Sequence, residues 1–335
     1  MELPQVQEKQ ILKSQKDKQK TYYIETYGCQ MNVADSELIE AMLENEGYIV
    51  SNDPWKSDVI FINTCSIREK AEEKIHSQLG RWALIKKKKP EILIGVLGCM
   101  AQNLKQDLLE NRPFVDIVLG PDSYRNLPDL LKRKSKDLNS IVDTKLSRFE
   151  VYEGLFPNRK NGVNAWISIM RGCDKFCTFC IVPFTRGRER SRSLNSILFE
   201  ANQAITDGFR ELTLLGQNVN SYGRDLTTQL RVSLPDSEDK YLAGAKWLQD
   251  DRRRARTLFP DLLRAIGSLD GVRRVRFTSP HPKDLRREVI EAMADTTAVC
   301  EHLHFPLQSG SDRILAAMHR GYNKSKYMER LDEAR

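Results

Sequence analysis

Residues 171–192 read RGCDKFCTFCIVPFTRGRERSR. Cys173, Cys177 and Cys180 follow the spacing C-x3-C-x2-C, with no fourth ligand nearby. A structural zinc site takes four protein ligands, commonly as two C-x2-C pairs, so the pattern is one thiol short of that chemistry. Thiolates also hold iron–sulfur clusters. Three cysteines on a four-iron cluster leave one iron free to chelate a substrate, which gives an unpaired third thiol a purpose. The apolar run AWISIM (165–170) just before the motif is strand-like. The cysteines therefore follow the carboxyl end of a first strand, where β/α barrels place their chemistry.

Working downstream, strand and helix patterns alternate. SILFEANQAITDG (196–208) is a helix, ELTLLGQNVNSYG (211–223) a strand with a polar tip, LFPDLLRAIGSL (258–269) a helix and VRRVRFTS (272–279) a strand. DLRREVIEAMAD (284–295) is a helix, EHLHFPLQ (301–308) a fourth strand and SDRILAAMH (311–319) a helix. Such a β/α series suggests part of a β/α barrel. Four strands fall short of a closed barrel and the chain stops within the helix-forming KSKYMERLDEAR (324–335), so the sequence reads as a fragment. The polar insertion at about 224–256 is too long for a routine loop.

Upstream the same alternation appears. TYYIETY (21–27), DVIFINT (58–64), ILIGVLG (92–98) and VDIVLG (115–120) are short apolar runs of the buried parallel kind. DSELIEAMLENEG (35–47) sets Leu38, Ile39, Met42 and Leu43 on one helical face, with Gly47 as a stop. No G-x-G-x-x-G follows the first strand, so a dinucleotide site is not indicated. The expected fold class is α/β, an N-terminal open parallel-sheet domain followed by a partial barrel. The expected boundaries are a disordered polar tail at 1–20, the sheet domain at 21–135, a connector at 136–163 and the barrel at 164–335.

Cys29, Cys65 and Cys99 each stand just beyond the carboxyl end of one of these upstream strands. Open α/β sheets bind ligands at that edge, and right-handed crossovers keep such ends together. Three thiols distant in sequence can thus converge into a second three-cysteine site. Cys300 is left over and reads as a plain buried thiol.

The 335 residues suggest two domains or one large one. A mean hydropathy of −0.52 and the lack of a long apolar run argue against a membrane span. The first twenty residues lack the apolar stretch of a secretory signal, so the expected location is a reducing compartment, the cytoplasm or an organelle matrix, where cysteines serve as metal ligands or free thiols more often than as disulfides. A formal charge of +7 suits an anionic partner without proving one. The runs Lys86–Lys89 and Asp250–Arg256 read as solvated faces.

The set TYGCQMN, NTCSIREKAEEK, GCMAQ, MRGCDKFCTFCIVPFTRGRERSR, LLGQNVNSYG, FTSPHP and PLQSGSD, spread over residues 21–323, resembles the radical S-adenosylmethionine methylthiotransferases, most closely their MiaB-type branch. Phe179 stands where the signature C-x3-C-x-φ-C of radical S-adenosylmethionine enzymes has its aromatic. The resemblance implies two 4Fe-4S clusters and S-adenosylmethionine, which together add a methylthio group to C2 of N6-isopentenyladenosine beside a tRNA anticodon. Cys173, Cys177 and Cys180 would hold the cluster that cleaves S-adenosylmethionine, and Cys29, Cys65 and Cys99 the cluster that carries the sulfur. It also implies tRNA as partner, an electron donor such as flavodoxin or ferredoxin, no membrane and a monomer. The small RNA-binding TRAM domain that completes the family is absent from the sequence.

Strand-end polar residues are further candidates for cofactor contact: Gln217 and Asn218, Ser279 and His281, Gln308 and Ser309. Arg186, Arg188, Arg190 and Arg192 are candidates for contact with anticodon-loop phosphates. Two other readings stay open. One is a methylthiotransferase acting on a ribosomal protein aspartate or on threonylcarbamoyladenosine in tRNA. The other is a non-enzymatic iron–sulfur redox or RNA-binding protein.

Overall fold

The computed structural model describes residues 19–65, 69–134, 139–159, 162–229 and 257–335. The polar tail expected at 1–20 (save its last two residues) and residues 230–256 of the insertion, with the run at 250–256, lie outside the described residues.

The N-terminal half is built on one sheet. Its elements are β1 (Thr21–Tyr27), α1 (Gln30–Asn45), β2 (Ile49–Val50), β3 (Val59–Thr64), α2 (Glu69–Lys88), β4 (Leu93–Gly98), α3 (Cys99–Leu104), α4 (Gln106–Asn111), β5 (Ile117–Leu119), α5 (Leu127–Lys134) and β6 (Ile141–Asp143). The strands are parallel in the order β2-β1-β3-β4-β5-β6. Every residue of β3 is buried, as expected for a central strand covered by helices on both faces. One core packs Leu38, Ile39, Met42 and Leu43 of α1 on Phe61 and Leu97. The other packs α2, through Ile75, Leu79 and Trp82, on Ile60, Ile62 and Val96. Gly47, at φ +84°, ends α1 in the left-handed conformation that favours glycine.

Residues 141–143, read from sequence as connector, instead form the sixth strand, with Ile141, Val142 and Asp143 in register with Ile117, Val118 and Leu119. A three-residue strand is too short to show a period in sequence, and its pairing partner supplies the order.

The second half continues with β7 (Asn164–Ser168), β8 (Met170–Arg171), α6 (Val182–Thr185), β9 (Arg190–Ser191), α7 (Leu194–Thr206), β10 (Glu211–Leu215), α8 (Arg224–Gln229), α9 (Phe259–Gly267), β11 (Arg274–Phe277), α10 (Arg287–Asp295), α11 (Asp312–Ala317) and α12 (Lys324–Ala334). Strands β11-β10-β7 are parallel. Strands β8 and β9 pair antiparallel and bracket the cysteine loop. Ser193 caps α7 by accepting from the Ser196 N–H. α9 packs Leu262, Leu263 and Ile266 into the same core as β10 and β11.

The fourth strand expected over 301–308 is not formed. A single parallel bridge joins Val299 to Val275, and Cys300 N donates to Val275 O at 2.9 Å. The His302 N–H then turns back to the Cys300 carbonyl at 2.7 Å. That two-residue return is a γ-turn, which bends the chain off the ladder. Among the described residues no helix is long and apolar enough to cross a membrane.

Candidate metal centres

The sheet order places β1 beside β3, with the chain leaving in opposite directions from that pair. This is the topological switch point at which doubly wound sheets bind ligands. Cys29 follows β1, Cys65 follows β3 and Cys99 follows β4, so all three thiols gather at one edge. Gly28 makes the approach possible. Its φ is +122°, and a Cβ there would sit 2.7 Å from the Cβ of Cys65. Asn63, fully buried, ties the same turns together by donating to Asn32 O and Ser36 Oγ, both at 2.9 Å.

The three thiols interact. The Cys65 thiol hydrogen-bonds both neighbours, which pushes its own pKa upward. Cys29 is lowered to about 6, first by that bond from Cys65 and, against burial, by Arg186 and the N–H groups opening α1. Cys99 is likewise lowered to about 6, first by Cys65 and, against burial, by Arg186. The Nε of Arg186 donates to Cys99 Sγ at 3.2 Å.

The barrel cysteines lie in a loop held at several points. Cys173 N donates to Gly187 O at 3.1 Å and Cys180 N to Cys177 O at 2.9 Å. Thr178 Oγ1 reaches Ala317 O at the end of α11, 3.1 Å away. Gly172 has φ +79°, and a Cβ there would lie 2.0 Å from Arg188 O, so only glycine lets the hairpin close over the loop. Burial pushes the Cys173 thiol up to about 12 and raises Cys180. The Nη1 of Arg320 donates to Cys177 Sγ at 3.2 Å.

These differences give an expected result for the metal-free chain. At pH 7, iodoacetamide should alkylate exposed, acidified Cys29 well before buried Cys173, because the thiolate is the nucleophile. Peptide mapping by mass spectrometry checks the order, and equal rates at the two would contradict it.

The other sequence candidates take different positions. Gln217 accepts from the Gly172 N–H at 2.6 Å and so supports the cysteine loop directly. Asn218 is fully buried, donates to Asp284 at 2.7 Å and leaves its Oδ1 without a protein partner. His281 is buried with Nε2 likewise unpartnered. Burial, helped by the Arg320 charge, lowers its pKa to about 3 and keeps it neutral. Phe179 is 56% exposed. Ser279 and Gln308 are exposed and hold φ of +59° and +70°, strained values that cluster at functional sites. Ser309 caps its own turn, accepting from the Ser311 N–H at 3.2 Å.

The arginines read as phosphate-facing are a correction. Arg186, Arg190 and Arg192 are buried in ion pairs. Arg186 Nη2 and Arg171 Nη1 both donate to the Asp35 carboxylate at 2.9 Å. Arg190 grips Asp122 with two bonds, at 2.7 and 3.1 Å. Arg192 meets Glu200 at 2.5 Å. Arg188 is exposed but paired with Asp174 at 2.6 Å. Arg186 and Arg190 therefore clasp the two halves of the molecule together, while Arg188 and Arg192 pair within the second half. Burial alone would raise Asp35, but Arg171 and Arg186 outweigh it and hold the carboxyl below its ordinary value.

Sequence reasoning missed Asp35, Asp122, Arg171 and Arg320. Only Asp35 left a signal. It precedes Leu38 and Ile39 by three and four positions, so it shares the apolar face of α1, and a carboxylate on such a face needs a buried cation. The barrel mouth holds a further polar group: Lys175 meets Asp284 at 2.5 Å, and Arg224 meets it at 3.3 Å. Lys175 outweighs burial to keep Asp284 below its ordinary value.

The donor sets fit the expected cofactors. Soft thiols with guanidinium donors at their sulfurs suit clusters. The buried, unpartnered Asn218 Oδ1, Asn220 Oδ1 and His281 Nε2 offer the acceptors a polar cofactor would use. Among the described residues no three His, Cys, Asp or Glu side chains are arranged to hold a single metal ion.

Residues 21–120 match the Uncharacterized protein family UPF0004, and residues 167–335 match the Radical SAM superfamily. The chain is 43% identical to the tRNA-2-methylthio-N(6)-dimethylallyladenosine synthase of Carboxydothermus hydrogenoformans, over 95% of this chain and 66% of that one. It is 44% identical to the protein of the same name from Bacteroides thetaiotaomicron, over 94% and 64%. The chain thus spans just under two thirds of the length of these curated relatives. Among solved structures it resembles the radical S-adenosylmethionine methyltransferase TsrM from Kitasatospora setae, with a TM-score of 0.56 at 12% identity, covering 94% of this chain and 65% of that one. At that identity the likeness concerns the fold.

Proposed function

Because the chain belongs to the radical SAM superfamily, we propose that it is the catalytic portion of a tRNA methylthiotransferase, modifying C2 of N6-isopentenyladenosine beside the anticodon. One observation carries the reading. Asp35 receives Arg171, two residues before Cys173, and Arg186, which also reaches Cys99. A single carboxylate thus ties the two three-cysteine sites together, as a reaction needing both would require. Relatives that carry the synthase name supply the substrate class.

Cys173, Cys177 and Cys180 would hold one 4Fe-4S cluster, and Cys29, Cys65 and Cys99 the other. Bound there with S-adenosylmethionine, these groups supply a carbon radical and a methylated sulfur, chemistry that belongs to the cofactors rather than to the protein. The chain's own residues orient and seclude. Gln217 fixes the start of the cysteine loop through Gly172, and Thr178 fixes its middle on α11. Asn218, Asn220 and neutral His281 present unpaired acceptors at the barrel mouth. Lys175 and Arg224 keep Asp284 ionised beside Asn218. Exposed Phe179 offers an aromatic face beside Cys180, of the kind on which a purine stacks.

Anaerobic reconstitution tests the reading. The chain should take up about eight irons, two four-iron clusters' worth. About four would remove the second site, and a protein that takes up zinc but no iron would end the reading. Nucleoside analysis of tRNA from a deletion strain should show loss of the methylthio group from isopentenyladenosine; unchanged nucleosides would overturn the substrate assignment.

A further inference from the structure

We propose that Arg186 is a positioning residue for the N-terminal three-cysteine site, supplied across the clasp by the barrel half of the chain. The proposal rests on the reading of Cys29, Cys65 and Cys99 as cluster ligands. Arg186 lies six residues beyond Cys180 in sequence, yet its Nε donates to Cys99 Sγ at 3.2 Å and its Nη2 to Asp35 at 2.9 Å. Its Nη1 is buried and meets no protein acceptor. One donor of a buried guanidinium is thus spent on a sulfur ligand, one on the carboxylate that aims it, and one stays open.

Guanidinium keeps its proton at any working pH and cannot accept a hydrogen bond. It is therefore a fixed charge with fixed donors, not a proton carrier. Hydrogen bonds to the sulfurs and local charge set the reduction potential of a cluster. Adding an electron adds negative charge, so a donor cation beside the thiolates favours the reduced state. Arg320 stands in the same relation to the barrel site, with Nη1 at 3.2 Å from Cys177 Sγ. Each triad therefore has its own guanidinium, but only Arg186 comes from the other half of the molecule. The N-terminal site has its full set of charges only when the barrel is docked.

The test compares Arg186→Gln, Arg186→Lys and Arg320→Gln with the unaltered chain after anaerobic reconstitution. Iron and sulfide are quantified, and each cluster's midpoint potential is read by redox titration followed with electron paramagnetic resonance. The two clusters are separated by repeating the titration with either cysteine triad replaced by alanine. Arg186→Gln should move the N-terminal cluster to a more negative potential at full iron content and leave the barrel cluster unmoved. Arg320→Gln should do the reverse. Arg186→Lys keeps the charge and loses the fork, so it should shift the same cluster in the same sense by less.

A fully loaded Arg186→Gln protein with an unmoved N-terminal potential would overturn the proposal. Equal movement of both clusters in every variant would also overturn it, because that pattern is a general structural disturbance. If Arg186→Gln does not fold, the folded Arg186→Lys protein decides: no shift there overturns the proposal. An unaltered chain whose N-terminal site takes up no iron would instead defeat the cluster reading itself. Loading without any effect of Arg186 would defeat only the present inference.

Discussion

Replacing Cys173, Cys177 and Cys180 together with alanine is expected to abolish 5′-deoxyadenosine formation and methylthiolated product alike. Replacing Cys29, Cys65 and Cys99 is expected to leave 5′-deoxyadenosine formation intact while abolishing the product. The two triads stand on different sheets, β1, β3 and β4 on one side and the β7–β9 region on the other. Each loop also has its own supports, Asn63 in the first and Gln217 with Thr178 in the second. Loss of one set should therefore spare the other and lower bound iron by about half. The measurement quantifies both nucleosides under strong reductant. Product formed without the N-terminal cysteines would defeat the division of labour, as would 5′-deoxyadenosine formed without the barrel cysteines.

The second large effect is expected at Asp35. Its carboxylate answers two buried arginines, and Asp35→Ala would leave Arg186 without its carboxylate and Arg171 with only the longer contact to Asp122 at 3.9 Å. Breaking a buried ion pair from one side costs about 3–5 kcal/mol. The urea midpoint should fall accordingly at pH 7, and a change within error would contradict the clasp. The pH dependence has a definite sign. The folded Asp35 carboxyl is held below its ordinary value by Arg171 and Arg186, in spite of burial. Its contribution is thus complete above the unfolded value of about 3.9 and is lost as pH falls through the lower folded value. Asp35→Asn should therefore be less stable at neutral pH and show a shallower loss between neutrality and strong acid. A slope as steep as that of the unaltered chain would assign the acid sensitivity to other carboxylates.

The elements read most securely from sequence were those whose order is local. α1 carries its apolar positions three and four apart, and β3 is a continuous apolar run, so each announces its own burial. The cysteines were legible as turns after such strands. β6 was not, because three residues show no period and only pairing with β5 orders them. The strand expected at 301–308 failed for the opposite reason: its place in the β/α series suggested a strand, but the turn at Cys300–His302 carries it off the ladder.

The arginine run shows a third kind of failure. Positive charge near a site suggested phosphate, but Arg186 finds Asp35 at a separation of 151 residues and Arg190 finds Asp122 at 68. No window of sequence contains both partners. Arg320 and Cys177, 143 residues apart, were hidden in the same way.

Arg186 over Cys99 also bears on how the molecule is assembled. Cys99 is synthesised 87 residues before the side chain that covers it, and in the folded chain Cys65 and Cys99 are only 6% and 4% exposed. During elongation the N-terminal domain can fold first, as domains generally do, before Arg186 is present to reach Cys99. A cluster held by these thiols, as proposed, would meet one less barrier until the hairpin of β8 and β9 brings Arg186 over Cys99. A chain released before loading must reopen that contact to be repaired, at the expense of desolvated charges parting in a low-dielectric interface. Loading of the proposed site would therefore be easiest before that contact forms, with Cys29 the one thiol of the three that stays exposed afterwards.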